Sequence, residues 1–288
     1  MSSKFYNNVK TVFLMCALSS VLLVAGGLIG GMRGVWIALA FATVMNFVGY
    51  FFSDKIALSS MGAQEVGPDH PLYKIVEGLA QRGNLPMPKV YVSPQPAPNA
   101  FATGRNPNNA AVCATEGLLQ MLDRNEVAGV MAHELAHVRN RDILIATIAA
   151  TIGAAISSLG YMFMFSGNRN SSAEQSPLAP IAGLLVLILG PLAAAIIQAS
   201  ISRSREFNAD KLGAEMCGDP MYLATALEKV HMGAAVVPLQ GNPAFNALMI
   251  ASPLSAGGMA KWFSTHPPLE DRLMNLIGQP TTGRIYRR

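Results

Sequence analysis

Four long stretches of the chain consist of hydrophobic, small and uncharged residues, without any Asp, Glu, Lys or Arg. They cover residues 11–32, 34–52, 143–165 and 178–201. Each has the length of about 20 residues that a helix needs to cross a lipid bilayer. The pattern therefore predicts four transmembrane helices in two hairpins, 1–52 and 143–201. An alternative for the fourth stretch is a buried helix of the soluble part, because Gly190-Pro191 interrupts it.

The remaining residues have the polar patterning of a soluble domain and fall in two blocks, 53–142 and 202–288. Apolar residues at helical spacing after Asp69-His70-Pro71 predict a helix. Short alternating or apolar runs predict three strands, at 89–93, 99–104 and 110–115. Because two spans separate the blocks, both lie on one side of the membrane, and we expect them to form a single α+β domain.

Composition and charge support a membrane protein with a soluble part. Hydrophobic residues make up 51% of the 288 residues and charged residues 13%, against about 25% charged residues in an average soluble domain. Seven basic residues near the span ends lie on one side of the predicted membrane and two on the other; they are Lys4, Lys10, Lys55, Arg139, Arg141, Arg203 and Arg205, against Arg33 and Arg169. The positive-inside rule therefore predicts that both termini and both soluble blocks are cytoplasmic.

The charge and the cysteines also limit which partners and which cellular compartment the sequence predicts. The net charge of +4 comes mostly from the basic residues near the span ends. The sequence has no run of basic residues with interleaved aromatic residues, so it does not predict a nucleic-acid partner. The three cysteines, Cys16, Cys113 and Cys217, have no metal-binding spacing. They fit a reducing compartment without disulfides.

His133, Glu134 and His137 form a His-Glu-x-x-His motif on a predicted helix that begins near Asp123 or Asn125. Histidines four residues apart lie on one helix face, so both imidazoles can bind one metal ion. The glutamate beside the first histidine can reach a water molecule on that metal, as in zinc metalloproteases. The alternative is two structural histidines in a core or on a surface.

A hydrolytic zinc site needs a third protein ligand and one open position for water. Six residues after the second hairpin are candidates: Glu206, Asp210, Glu215, Asp219, His231 and His266. Glu206 and Asp210 are four apart on a predicted helix, so one can bind the metal while the other holds a ligand histidine. We predict Glu206 as the ligand and Asp210 as the carboxylate behind a histidine. The alternative is a solvated charge run that follows a membrane span.

Four segments together resemble a known family. They are His133-Glu-Leu-Ala-His137, Ser202-Arg-Ser-Arg-Glu206-Phe-Asn-Ala-Asp210, Asn99-Ala-Phe-Ala-Thr-Gly104 and Thr265-His-Pro-Pro-Leu-Glu-Asp-Arg272. With the four-span layout, the whole chain resembles the HtpX family of bacterial heat-shock membrane zinc metalloproteases, which is related to the CAAX prenyl proteases of eukaryotes. The resemblance implies a cytoplasmic zincin domain of the gluzincin type in a multi-pass protein of the bacterial inner membrane. It also implies proteolysis in membrane-protein quality control and the stress response.

The resemblance implies a role for each motif residue. His133, His137 and Glu206 would bind one zinc ion per subunit, and Glu134 would be the catalytic base. His266 is our candidate for a second group that stabilises the oxyanion, with a structural histidine as the alternative. For Arg272, a structural role is favoured over binding the substrate backbone or orienting Asp271; His70 and His231 are expected to be structural.

Misfolded membrane proteins and the lipid bilayer are the expected partners. A strand at a sheet edge binds peptides through main-chain hydrogen bonds and so tolerates varied sequences. We predict that Asn99, Ala100, Phe101 and Ala102 form such an edge, with an ordinary interior strand as the alternative. Two other functions remain open at this point: a protease for lipidated protein C-termini, and a metal-binding membrane adaptor without turnover. The sequence does not give the oligomeric state.

Overall fold

A computed structural model of the chain describes residues 3–144, 147–148, 203–234 and 267–283. Most of the third and fourth predicted spans, and His266, lie outside the described residues. The helices described here are α1 (Ser3–Ser60), α2 (Pro71–Arg82), α3 (Glu116–Met121), α4 (Arg124–Asn140), α5 (Arg203–Cys217), α6 (Pro220–Ala234) and α7 (Leu269–Ile277). The strands are β1 (Gln64–Glu65), β2 (Lys89–Ser93), β3 (Ala100–Asn106) and β4 (Asn109–Thr115).

Helix α1 folds back on itself at Gly31, whose φ of 56° and ψ of −142° are non-helical. Glycine adopts a positive φ without the steric cost that a Cβ would add. Gly26 and Gly34 approach so closely that a side chain on either would collide with the other's backbone. Farther along, Nδ2 of Asn46 donates to Oγ of Ser19 at 2.9 Å. These contacts are those of two antiparallel helical segments, and small residues allow their close approach.

The second segment of α1, Gly30–Ser60, is the one helix among the described residues that is long and apolar enough to cross a membrane. Its most apolar window has a mean hydropathy of 1.8. The large hydrophobic side chains that are exposed in the described parts of the chain all lie on α1, apart from Met87, Met232 and Met274. Such a concentration of exposed apolar surface marks a membrane or protein interaction site. The four-span layout and the domain boundaries drawn from it stay predictions.

The four strands form one mixed sheet in the order β1-β2-β4-β3. β2 and β4 are parallel, whereas β1 pairs with β2 and β3 pairs with β4 in antiparallel fashion. The mixed α and β architecture of the sequence prediction is confirmed. Short strand β1 was not predicted, because a two-residue strand has no periodicity to detect.

The two faces of the sheet pack against different parts of the molecule. Small and branched residues of one face join the core formed with α2, α4, α5 and α6; they are Ala100, Ala102, Ala110, Val112 and Ala114. On the other face, Phe101, Ala111 and Cys113 pack in a cluster with Ala57, Leu58 and Met61 from the end of α1. The sheet therefore lies between the helical core and the continuation of the apolar helix.

Glycines set the spacing between α4 and the two helices that cross it. A Cβ on Gly213 of α5 would lie 2.9 Å from the main-chain nitrogen of His133. A Cβ on Gly129 of α4 would lie 2.5 Å from the nitrogen of Leu223 in α6. Contacts this close leave no room for a side chain, so glycine at both positions is what lets the three helices pack around His133.

We expect Gly213→Ala to destabilise the protein by about 1–3 kcal/mol, because the added methyl meets backbone atoms that cannot move away independently. Gly78→Ala in α2 is the matched control, since a Cβ there meets nothing within 4 Å. Alanine is favoured over glycine inside a helix by roughly 0.5–1 kcal/mol, so this control should stabilise. Thermal unfolding of both variants in detergent measures whether each substitution raises or lowers the stability. Equal stability changes for the two variants would contradict the packing argument.

Candidate metal centre

Helix α4 carries the His-Glu-x-x-His motif into the core. It begins with a capping box, in which the Asp123 carboxylate accepts from the main-chain nitrogen of Glu126 and the Glu126 side chain accepts from that of Asp123. Such reciprocal caps satisfy main-chain donors that a helix start leaves without partners. Because α4 is buried along most of its length, His133 and Glu134 lie inside the domain.

Three side chains from α4 and α5 converge on one point. Nε2 of His133 and Nε2 of His137 are 3.2 Å apart. The two carboxylate oxygens of Glu206 lie 3.7 Å from Nε2 of His133 and 3.6 Å from Nε2 of His137. One potential ligand atom from each residue lies within 4.8 Å of the other two, and this is the metal-type cluster found among the described residues. The structure thus brings together the three residues that the sequence assigned to the metal.

A carboxylate and an arginine support His133 from behind. Nδ1 of His133 lies 2.9 Å from Oδ1 of Asp210. Arg272 donates from Nε to Oδ2 of Asp210 at 2.9 Å and from Nη2 to Oδ1 at 2.5 Å. Although burial alone would raise the pKa of Asp210, the guanidinium holds that pKa well below the usual carboxyl range. Asp210 is therefore an ionised acceptor that fixes the orientation of the His133 ring.

The same environment keeps His133 neutral. Burial lowers the pKa of His133 to about 4, against the opposing effect of Asp210. Neutral imidazole is the form that binds metals. Nδ1 lies 2.9 Å from Oδ1 of Asp210 and 3.4 Å from Nη2 of Arg272. The shorter contact, to an oxygen that only accepts, favours the proton on Nδ1 and leaves Nε2 facing Glu206 and His137.

A second carboxylate supports His137 in the same manner. Oδ2 of Asp142 lies 3.3 Å from Nδ1 of His137, and Oδ1 of Asp142 lies 3.7 Å from Nη1 of Arg205. Arg141 makes this possible, because its left-handed conformation, with φ of 61° and ψ of 34°, ends α4. The chain then turns back, and the main-chain nitrogen of Asp142 donates to the carbonyl oxygen of His137 at 3.0 Å.

The charges around His137 favour a cation. Burial lowers its pKa, but Glu206, the hydrogen bond with Asp142 and the charge of Glu134 outweigh burial and raise the pKa to about 9. The carboxylates therefore stabilise positive charge at this point, which a proton or a metal ion can supply. Two histidine nitrogens and one carboxylate are the ligand set of hydrolytic zinc sites. The described residues thus fit a zinc ion with one position left for water.

The remaining predicted residues have mixed outcomes. Arg272 forms a buried ion pair with Asp210, which agrees with the structural role favoured for it and not with the alternative of orienting Asp271. His70 caps α2, where its Nδ1 accepts from the main-chain nitrogen of Leu72 at 3.1 Å. His231 lies in the last turn of α6. Ala100, Phe101 and Ala102 lie in β3, the last strand in the described sheet order, whereas Asn99 directly precedes that strand.

Asp142 was missed by the sequence interpretation. It lies five residues after His137 and beyond the end of the helix, so helical periodicity does not place it beside the imidazole. A carboxylate shortly after a metal-binding motif was the available signal. Only the left-handed turn at Arg141, which the sequence does not show, places Asp142 beside His137.

Comparisons with known proteins agree with this geometry. The pattern described as peptidase family M48 matches residues 68–279. The chain belongs to this family. It is 52% identical over 285 residues to a protein called "Protease HtpX homolog" from Burkholderia cenocepacia (strain HI2424), covering 97% of this chain and 99% of that protein. A protein of the same name from Burkholderia ambifaria (strain MC40-6) is 51% identical over the same length.

A solved structure supports the fold. The match is to "Crystal Structure of S. mikatae Ste24p", with a TM-score of 0.51 and 19% sequence identity. It covers 96% of this chain, and the chain spans 66% of the length of that protein. At this identity the likeness establishes the fold alone. Family membership and the relatives make the M48 chain a membrane-associated metalloprotease, which confirms the resemblance seen in the motifs.

We expect Asp142→Ala to weaken zinc binding by about 10–100-fold, the usual effect of removing a carboxylate that orients a ligand histidine. Asp142→Asn keeps an oxygen that accepts from Nδ1 of His137 and should lose less. Competition with a chromogenic chelator measures both affinities on the purified protein.

Glu215→Gln is the control for the Asp142 variants, because Glu215 is exposed on the same helix as Glu206. It should bind zinc like the wild type. If Asp142→Ala folds normally and binds zinc within about twofold of the wild type, Asp142 has no part in orienting His137.

Proposed function

We propose that the protein is a zinc endopeptidase that holds one zinc ion per subunit through His133, His137 and Glu206. The convergence of the two Nε2 atoms and the Glu206 carboxylate carries the proposal. Both Nδ1 atoms face carboxylates, which leaves both Nε2 atoms directed at one space. The two Nε2 atoms are 3.2 Å apart, so either a shared proton or a metal ion that replaces it can hold them together.

When bound, zinc lowers the pKa of a water molecule and polarises the scissile carbonyl. Glu134 is the proposed catalytic base: it accepts the proton of the attacking water and delivers it to the departing amine nitrogen. Its position beside His133 on α4, inside the domain, keeps the carboxylate next to the metal ligands. Its negative charge contributes to the raised pKa of His137, which supports this proximity.

Stabilisation of the oxyanion needs a donor besides the metal. His266 is the proposed donor, on the strength of the family resemblance alone, because the residue lies outside the described part of the chain. It precedes Pro267 and Pro268, and α7 begins at Leu269. Arg272 of α7 reaches the metal centre through Asp210, which supports a position for this segment near the cleft.

We propose that the substrate backbone pairs with the start of β3, at residues 100–102. Asn99, which the sequence interpretation included, precedes β3, and its main-chain nitrogen and oxygen are bonded to Thr115. β3 is the last strand in the sheet order and pairs with β4 among the described strands. Ala100 and Ala102 face the core that contains α4, and their small side chains permit a close approach to the motif helix. Main-chain pairing does not depend on substrate side chains, which suits a protease with varied clients.

Misfolded membrane proteins at the cytoplasmic face of the bacterial inner membrane are the proposed clients, in quality control and the stress response. The apolar helix α1 supports this proposal, because its end packs directly on the sheet. The apolar helix and the domain that carries the metal centre therefore form one packed unit. Lipidated protein C-termini are the alternative substrate class. Membership of a peptidase family favours an enzyme over the metal-binding adaptor.

The first test is degradation of unfolded casein by the detergent-purified protein, stripped of metal and titrated with zinc. Activity should return with about one zinc per chain. Glu134→Gln should lower kcat by about 10²–10⁴-fold, because it removes the general base. The variant should still hold zinc, since Glu134 is not among the ligands.

Metal content and a second substrate complete this test. Lost zinc binding in Glu134→Gln would contradict the separation of base from ligand. A wild-type protein that holds zinc but cuts prenylated peptides and spares casein and unmodified peptides would replace the quality-control proposal with lipid-dependent processing.

The edge-strand proposal has a test that leaves the enzyme unchanged. Peptide substrates with single N-methyl groups near the scissile bond lose one main-chain donor each. At positions that pair with β3, we expect KM to rise by about 2–13-fold, the equivalent of roughly 0.5–1.5 kcal/mol per hydrogen bond. N-methylation several residues away is the control. Uniformly unchanged KM values would exclude main-chain pairing.

A further inference from the structure

One side of α1 becomes buried after Phe52, where the helix meets the sheet. Phe51 and Phe52 are 42% and 41% exposed, whereas Ser53 and Ala57 are 3% and 0% exposed. Aromatic residues at the end of an apolar helix are typical of the membrane–water interface. The first charged residues after the apolar stretch, Asp54 and Lys55, follow directly. The aromatic residues and the charges beside them therefore favour a bilayer surface close to Phe51 and Phe52.

Strand β3 runs along α1 toward this boundary. Its first half contacts the far part of the helix, where Phe101 packs with Ala57 and Leu58. Its last part contacts the interfacial aromatic residues, since the Arg105 guanidinium lies 5.3 Å from the ring centre of Phe51. Four strand residues span about 13 Å, and the six helix residues from Phe51 to Ala57 span about 9 Å. The two lengths are compatible, so β3 approaches the bilayer surface with its C-terminal end.

A second chain segment flanks the same strand. Oγ1 of Thr103 lies 3.0 Å from Oγ1 of Thr147. Thr147 and Ile148 are buried and lie at the start of the third predicted span. β3 is thus contacted by the end of one apolar segment and by the start of another, and both contacts favour a position next to the membrane.

The boundary also carries positive charge. Arg105 lies over Phe51, and Nζ of Lys55 lies 5.4 Å from the ring centre of Phe52. Asp54 is the acidic neighbour, and its carboxylate accepts from the main-chain nitrogen of Lys55 at 2.8 Å. The net charge of these three residues is positive. Basic residues above a ring of interfacial aromatics attract anionic lipid headgroups.

We propose that the β3–β4 turn, residues 105–109, lies in the phospholipid headgroup layer, where Arg105 and Lys55 bind the phosphates of anionic phospholipids. Asn108 and Asn109 form the exposed tip of this turn. The edge of β3 that no described strand covers then begins at the bilayer surface and runs away from it. This proposal rests on the membrane association and is independent of the proposed substrate pairing.

The turn can be located with a fluorophore on Asn108→Cys, in the full-length protein reconstituted into bilayers. Cys16→Ser is the background, because Cys16 is the exposed native cysteine and the other two are buried. Lipids with a headgroup nitroxide should quench most of the fluorescence. Gln120→Cys is the control: it is exposed on α3, beyond the opposite end of β4, and β4 spans about 20 Å. That label should be quenched little.

Lipid charge is tested with the same label. At equal mole fraction, nitroxide phosphatidylglycerol should quench more than nitroxide phosphatidylcholine. Removing one basic residue near an anionic surface should lower this preference by about fivefold, the factor that corresponds to about 1 kcal/mol. We expect this for Arg105→Gln and for Lys55→Gln. Arg105→Lys should retain the preference, and Lys74→Gln, at an exposed lysine on α2, should not change it.

Equal quenching at Asn108 and Gln120 would overturn the location of the turn. An unchanged lipid preference in both Arg105→Gln and Lys55→Gln would overturn the phosphate contacts. Casein cleavage in detergent should be unaffected by these variants, which separates a failure of this proposal from a failure of the proposed protease mechanism.

Discussion

The buried ion pair between Asp210 and Arg272 is the interaction on which the packing of α4, α5 and α7 around His133 depends. A carboxylate inside a protein costs several kcal/mol of desolvation unless a partner with good geometry compensates it. Arg272 provides two hydrogen bonds, and Asp210 can then remain ionised beside His133. The pair also joins three elements that are distant in sequence, because it links α7 to α5 and, through His133, to α4. The same ion pair therefore serves both the packing of these helices and the orientation of the His133 ring.

The two histidines have parallel but unequal support. Each Nδ1 faces an aspartate, and each aspartate has an arginine near it. The contact between His133 and Asp210, at 2.9 Å, is shorter and more completely buried than the contact between His137 and Asp142, at 3.3 Å. Asp142 directly precedes the third predicted span, and Arg205 follows shortly after the fourth. The ring of His137 is thus held by residues at the base of the predicted membrane segments, whereas the ring of His133 is held by the C-terminal helix.

Small residues bring these elements close enough to act together. Gly213 lets α5 contact the backbone at His133, and the alanines of β3 and β4 let the sheet lie close to α4. Large side chains at these positions would push apart the elements that carry His133, His137 and Glu206. On its other face, the sheet packs against the end of α1, so the distance between the metal centre and the apolar helix is set by ordinary core packing.

The sequence by itself determined the features that depend on local spacing. The four-residue interval fixes His133 and His137 on one helix face, the same interval relates Glu206 to Asp210, and alternation located the three longer strands. Tertiary structure decided the features that join distant segments. It directed Arg272 to Asp210 rather than to the adjacent Asp271, and it brought Asp142 back to His137 through the left-handed turn at Arg141. Helical and strand periods act over a few residues, whereas these contacts depend on how buried charges find partners once the core has closed.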